Sequence, residues 1–211
     1  MPGLRLERHD GAATAAMLDT LTDVYLDEYA EPPYEGSPVH TREAFTERTT
    51  RQVSAEGFTL VTGHTDAALA GYTFGFRQPP GRWLPGTCEP PPPAQIVESP
   101  RFFVVELIVR RPFRRRGYAR QLMDELLTAR PEPFAALTAH PRAPARTIYP
   151  RWGWDELCKL SWDDGTSFDV MVKRRAGDGV KPMGAGAVHP GRVEPVQASA
   201  ACEGRGRTRS R

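Results

Sequence analysis

The residues best suited to chemistry are gathered in RFFVVELIVRRPFRRRGYARQLMDELL, residues 101–127. Arg114, Gly117 and Ala119 satisfy the pattern R-x-x-G-x-A between an apolar run at 102–109 and an amphipathic stretch. In that stretch Ala119, Leu122, Met123, Leu126 and Leu127 recur at i, i+3, i+4, i+7 and i+8, the spacing of one buried helical face. Strand, basic glycine turn and helix together point unpaired backbone N–H groups and a positive helix end at an anion, which suits a diphosphate. Gly117 permits a positive φ or the close approach of a ligand, and Ala119 keeps the first helical turn free of bulk. Arg114, Arg115 and Arg116 would add attraction and phosphate contacts. Neither a Walker lysine pattern nor G-x-G-x-x-G is present, so nucleotide hydrolases and Rossmann enzymes lack their signatures here. The alternative is a solvated basic turn in an arginine-rich chain.

Glu106 interrupts the apolar run. A carboxylate there must be paired, solvated or shifted in pKa, because burying it as a bare charge is costly. It is a candidate general base; the competing reading turns it to solvent or pairs it with an arginine of a neighbouring element. His140 is a second candidate base, although a lone histidine near a loop is more often structural.

Positioning these groups requires a frame. Residues 4–8 alternate as a short strand, and Asp10 is placed to cap a helix over 12–29 carrying Met17, Leu18, Leu21, Val24 and Tyr25 at core spacing. Pro32 and Pro33 stop it, and a second helix runs from Thr41 to about 55. Residues 58–62 and 69–76 read as an antiparallel hairpin. Residues 79–100 hold eight of the 21 prolines and are expected as a long inserted loop, neither helix nor central strand, that covers a site or is disordered. Downstream come a strand at 134–138, a short helix or helical turn at 143–152, and a hairpin of strands 157–162 and 168–173. The fold class is therefore a mixed α/β sheet over residues 1–175. From 176 to 211 there is no Leu, Ile or aromatic residue, and a disordered Gly/Pro/Ala/Arg-rich tail is expected.

Composition narrows the function classes. With 211 residues and 39% hydrophobic content the chain can fill one core. A net charge of only +2 and no recognised binding motif argue against a nucleic-acid partner, although the arginine turn and Arg205, Arg207, Arg209 and Arg211 keep that rival in view. Cys88, Cys158 and Cys202 are odd in number, far apart and without C-x-x-C spacing, which argues against a disulfide framework or a zinc site and for a reducing compartment. No apolar leader or membrane-length run is visible, and the expected location is cytoplasmic.

The string VRRPFRRRGYA (109–119), after Leu-Ile-Val and before an amphipathic helix, resembles the coenzyme A binding motif of GNAT superfamily N-acetyltransferases. ARTIYPRWGW (145–154) is similar to that family's A-x-x-x-Y-x-x-x-G-F segment, with Trp154 for the usual Phe. The resemblance spans residues 4–173 in element order. It implies an acyl-CoA N-acyltransferase-like fold: a mostly antiparallel central sheet with one splayed parallel strand pair and helices on both faces. It further implies acetyl-CoA as cosubstrate, no metal, and direct attack by a primary amine of a small amine, aminoglycoside, amino acid or peptide. Leu107, Ile108 and Val109 would pair with the pantetheine arm. Arg114, Arg115, Arg116, Gly117, Tyr118 and Ala119 would hold the diphosphate. Tyr149 would protonate the leaving thiolate; family members place their base at different positions, so Glu106 stays a candidate on its own chemistry. Tyr25, Tyr29 and Tyr34, among Asp23, Asp27, Glu28, Glu31 and Glu35, would border the acceptor and suit a cationic amine. Pro112 lies one residue later than is usual in the family, and Arg142 stands where an asparagine is frequent. The rival within the family is a non-catalytic CoA-binding regulatory module; a homodimer stays open.

Overall fold

The described residues form eight strands, β1 (Arg5–His9), β2 (Thr59–His64), β3 (Leu69–Gln78), β4 (Thr87–Glu89), β5 (Arg101–Val109), β6 (Phe134–Ala139), β7 (Asp155–Ser161) and β8 (Ser167–Arg174), of which β2, β3, β5 and β8 are rich in β-branched and aromatic residues. Helices α1 (Gly11–Ala16), α2 (Leu18–Tyr29), α3 (Arg42–Gln52), α4 (Ala94–Val97) and α5 (Tyr118–Leu127) complete the fold. The computed structural model describes residues 3–175 apart from 36, 38, 67 and 164. The expected tail, 176–211, lies outside the described residues.

The strands form one sheet in the order β1-β2-β3-β5-β6-β8-β7-β4. All pairings are antiparallel except β5 with β6. That parallel seam is short, Arg101–Val104 against Phe134–Leu137. Beyond it the two strands have no ladder contact, so the sheet opens into a notch between two halves.

The notch begins at a bulge. In the β3–β5 register Phe74 opposes Glu106 and Gly75 opposes Val104, which leaves Val105 as the extra residue. Gly75 is required there, because a Cβ would lie 2.3 Å from the Phe103 carbonyl oxygen. The extra residue also reverses the faces of the strand. Phe102 and Val104 pack with α5, whereas Val105 and Ile108 pack with α2 and α3. Without the bulge Glu106 would follow Val104 into the α5 core; with it, Glu106 faces α2 and α3.

Each helix covers the face its sequence dictates. Leu21, Val24, Tyr25 and Phe45 of α2 and α3 bury against Leu60, Tyr72 and Phe74. Leu122, Met123, Leu126 and Leu127 of α5 bury on the other face against Phe102, Val104 and Leu137. Asp10 caps α1 through Ala13 N–H at 2.8 Å, and Thr41 caps α3 through Ala44 N–H at 3.2 Å. The single helix expected over 12–29 is broken at Met17, whose N–H bonds to Thr14 O at 3.0 Å and tightens the chain between α1 and α2. The helix allowed for at 143–152 is two 3-10 turns, Pro144–Thr147 and Pro150–Trp152.

The proline-rich segment is also corrected. It contains β4, which pairs with β7 at the sheet edge, and the one-turn helix α4 directly after Pro93. An edge strand tolerates neighbouring prolines because its outer groups need no partner. Fully buried Arg101 organises the rest: its guanidinium donates to Ile96 O (2.8 Å), Val97 O (2.8 Å), Ser99 O (2.9 Å) and Arg82 O, and it lies 4.9 Å from the Trp83 ring centroid. The last carbonyls of α4 are thus satisfied by a side chain rather than by water.

Candidate active site

The basic turn leaves β5, passes through a 3-10 turn (Arg111–Phe113) and enters α5 through Gly117 at φ 77°. Only glycine takes this conformation without strain. The backbone N–H groups of Arg115, Arg116, Gly117, Tyr118 and Ala119 have no hydrogen-bond partner among the described residues. Five unpaired donors at the start of a ten-residue helix make an anion cradle, and they fit a diphosphate.

The arginine side chains are arranged differently from expectation. Arg114 donates to Glu31 Oε2 at 2.8 Å, to Glu28 Oε2, and to the Val109 carbonyl at 3.1 Å. Glu28 also accepts the Arg111 N–H at 3.1 Å, and Arg110 lies 3.7 Å from Asp27. Arg114 is therefore committed to the C-terminal end of α2 and the residues just after it; of the carboxylates read as an acidic border, Asp27, Glu28 and Glu31 are engaged by arginines of the turn, and Asp23 by Arg42 of α3. Arg116 donates to Pro112 O at 3.2 Å, and the exposed Arg115 sits at φ 62°.

On β5, Arg110 N–H bonds to Ala70 O at 2.9 Å on the β3 side. Strand alternation then turns the backbone groups of Leu107 and Val109 into the notch and those of Ile108 toward β3. Leu107 N–H and C=O and Val109 N–H are left to meet a ligand lying along the notch, the Val109 carbonyl being taken by Arg114.

Glu106 is 6% exposed. Tyr29 O–H donates to its Oε2 at 2.7 Å, and Arg48 of α3 approaches Oε1 at 3.4 Å. Burial raises its pKa above the usual carboxylate range against the opposing pull of Arg48 and Tyr29. Arg48 also donates to Tyr25 O–H at 3.3 Å and lies over the rings of Tyr25 and Phe45. A carboxylate has about four acceptor positions, so two such bonds leave Glu106 able to accept a proton.

Aromatic rings continue outward from this carboxylate. Tyr29 packs 4.1 Å from Tyr25, 4.6 Å from Tyr34 and 4.4 Å from His40. Tyr34 meets His140 at 5.7 Å, and His140 meets Phe168 at 5.8 Å, which carries the belt across the notch to β8. Burial, with Glu106 second, pushes the Tyr34 phenol up to about 12. His140 Nδ1 accepts the Arg142 N–H at 3.1 Å, so in the neutral ring the proton is on Nε2, and a base role through that nitrogen is closed. His40 was missed in the sequence. Its Nδ1 donates to Tyr34 O at 3.3 Å in the neutral form, leaving Nε2 as acceptor, and burial lowers its pKa.

Tyr149 sits between the two 3-10 turns, 6% exposed, with ring contacts to Trp152 (5.9 Å) and Trp154 (6.1 Å). Arg146 anchors the segment by donating to the buried Asp169 of β8 at 2.7 Å and to Glu156 of β7. The Tyr149 hydroxyl has no hydrogen-bond partner among the described residues. Burial raises its pKa, with Tyr34 next and Glu106 after it, so Tyr149, Tyr34 and Glu106 share one electrostatic environment. Among the described residues no cluster of three or more His, Cys, Asp or Glu is placed to hold a metal ion, and no helix is long and apolar enough to cross a membrane.

Residues 96–175 match the family model for the acetyltransferase (GNAT) domain. In solved structures, the fold is shared with the PaiA N-acetyltransferase of Thermoplasma acidophilum in complex with coenzyme A, at 12% identity, 82% of this chain, 99% of that chain and TM-score 0.53. It is shared with the histone acetyltransferase HPA2 and related acetyltransferase of Corynebacterium glutamicum, at 17% identity, 85% and 100% coverage and TM-score 0.58. The NatC complex bound to Gag peptide and CoA contains a chain matching at 9% identity, 82% and 99% coverage and TM-score 0.56. A search of curated proteins finds no match in sequence. The fold is thus shared with solved acetyltransferases, and residues 96–175, from α4 to just past β8, are similar to the acetyltransferase (GNAT) domain.

Proposed function

We propose that this enzyme acetylates a primary amine that reaches the notch along the Tyr29, Tyr34, His40 and His140 surface, with Glu106 as the proton acceptor. The observation that carries this reading is the placement of Glu106: a buried carboxylate directly after the bulge of β5, held by Tyr29 at 2.7 Å and raised in pKa. Attack requires a neutral amine, and a carboxylate shifted toward neutral pH is a better base than an exposed one. Tyr29 and Arg48 favour the charged form and fix the orientation in which the proton is accepted.

Acetyl-CoA supplies the activated acyl thioester. The N–H groups of residues 115–119 hold the diphosphate, and the backbone of Leu107 and the Val109 N–H pair with the pantetheine arm and orient the reacting end. Tyr149 meets the leaving sulfur. A free thiol titrates near ~8.5 and a tyrosine near ~10. Burial lifts Tyr149 further, so its phenol donates a hydrogen bond to the developing thiolate and full proton transfer runs uphill. The domain that performs this chemistry spans residues 1–175.

The test is consumption of acetyl-CoA across amines, aminoglycosides, amino acids and peptide N-termini, run beside direct measurement of CoA affinity. Turnover on one acceptor class is expected. Affinity without turnover on every acceptor would leave a regulatory CoA-binding module instead.

A further inference from the structure

We propose that Cys88 and Cys158 are a reversible modification site, closing to a disulfide when a hydroperoxide reaches the edge of the sheet. Cys88 lies on β4 opposite Leu160 of β7, and Cys158 is two residues further along the same face. The two thiols are free, and their sulfurs are 2.6 Å apart although the residues are 70 apart in sequence. The two residues are diagonal neighbours across the β4–β7 ladder, and their sulfurs are already close enough to be joined. Both sulfurs belong to one apolar cluster with Leu160 and Val170, against which Trp83, Leu84 and Trp162 pack. Spacing along the chain could not show this pair, because its approach depends on β4 crossing to the far edge of the sheet.

The two thiols differ in a way that assigns their roles. Cys88 is half-buried, on an edge strand, and its Sγ accepts the Trp83 indole N–H at 3.1 Å. Cys158 is 2% exposed, donates its S–H toward Cys88, and is pushed up to about 12, by burial first and Cys88 second. Cys88 is accordingly the sulfur an oxidant meets. A hydroperoxide transfers one oxygen to it: the O–O bond breaks, Cys88 becomes a sulfenic acid, and an alcohol or water departs. The Cys158 sulfur then attacks the Cys88 sulfur. The S–S bond forms, the S–O bond breaks, and the hydroxyl leaves as water with the Cys158 proton. A dithiol reverses the step by exchange, returning two thiols and leaving as its own disulfide. In a reducing medium both residues stay as thiols.

The loop closed between 88 and 158 contains β5 with Glu106, the turn, α5, β6 and Tyr149. Oxidation would thus brace the catalytic half of the chain against unfolding without touching a reacting group. The experiment uses the full chain with Cys202→Ser, treated with hydrogen peroxide, alkylated and weighed intact. The expected product is lighter by two hydrogens, yields a linked Cys88–Cys158 peptide, reverts with dithiothreitol, and melts higher by on the order of 5 °C. In Cys88→Ser, a half-exposed position, Cys158 must remain alkylatable after denaturation and the melting shift must vanish. Cys88 oxidised to sulfinic or sulfonic acid beside an intact Cys158, chains linked to one another through Cys88, or an unchanged thiol count would overturn the assignment.

Discussion

The turn at 110–117 directly follows the strand that carries Glu106, yet turn and pocket use different parts of the polypeptide. The turn offers backbone: its donors are main-chain N–H groups, and Arg114 reaches away from them to Glu28 and Glu31. The pocket offers side chains: Glu106 from β5, Tyr29 from α2, Arg48 from α3 and Tyr34 from the loop between those helices. A backbone site depends on local conformation and is written in a few adjacent residues. A side-chain site depends on which distant elements meet, and here on one bulge.

Substitutions can break this contrast in order of expected size. Glu106→Gln removes the proton acceptor and should lower kcat/KM by roughly 10²–10⁴-fold, the usual worth of a general base, while CoA affinity is retained. The pH profile sharpens it. Because the base works deprotonated and its pKa is raised, wild-type activity should climb with pH through a midpoint above the ordinary carboxylate range, and the variant should lose that limb. Equal loss of CoA affinity would make Glu106 structural.

Tyr149→Phe deletes a hydrogen bond to a developing anion, worth about 1.5–3 kcal/mol, so kcat should fall roughly 10- to 100-fold with KM for acetyl-CoA nearly constant. Full turnover would end its role. Gly117→Val tests the backbone side. A β-branched residue at positive φ costs about 1–3 kcal/mol, so KM for acetyl-CoA should rise on the order of tenfold while kcat changes little.

The smallest effect discriminates most finely. Arg114→Ala should raise KM for acetyl-CoA by roughly 3- to 5-fold, the scale of a partly exposed ion pair, because it frees Glu28 and Glu31 beside the diphosphate site. If Arg114 acts by neutralising those carboxylates, adding Glu28→Gln and Glu31→Gln should restore affinity. If its guanidinium instead holds the diphosphate directly, the added changes will not rescue.

These contrasts match what the sequence made legible. R-x-x-G-x-A, the α5 stripe, the cap at Asp10, the helix opening at Thr41 and the two hairpins all express short-range rules, and the structure contains each of them. Arg48 escaped notice because an arginine at core spacing on α3, three residues after Phe45, looks like any other in a chain rich in arginine. Arg101 and β4 escaped because a proline-dense segment has no internal pattern; its order comes from one guanidinium and from pairing with a strand far downstream at the Thr87–Ser161 and Glu89–Lys159 ladder. The bulge at Val105 was invisible as well, since it exists only in relation to Gly75.

The sheet order has a consequence for how the molecule is assembled. β8 lies between β6 and β7, and β7 in turn carries β4. During synthesis β4 emerges long before its partner, and β6 shows an unpaired edge until Ser167–Arg174 arrives to fill it. The last strand is the keystone of half the sheet. A ribosome paused before it holds a finished glycine turn beside two waiting edges, and that interval is when this chain is most exposed to misassembly with a second copy.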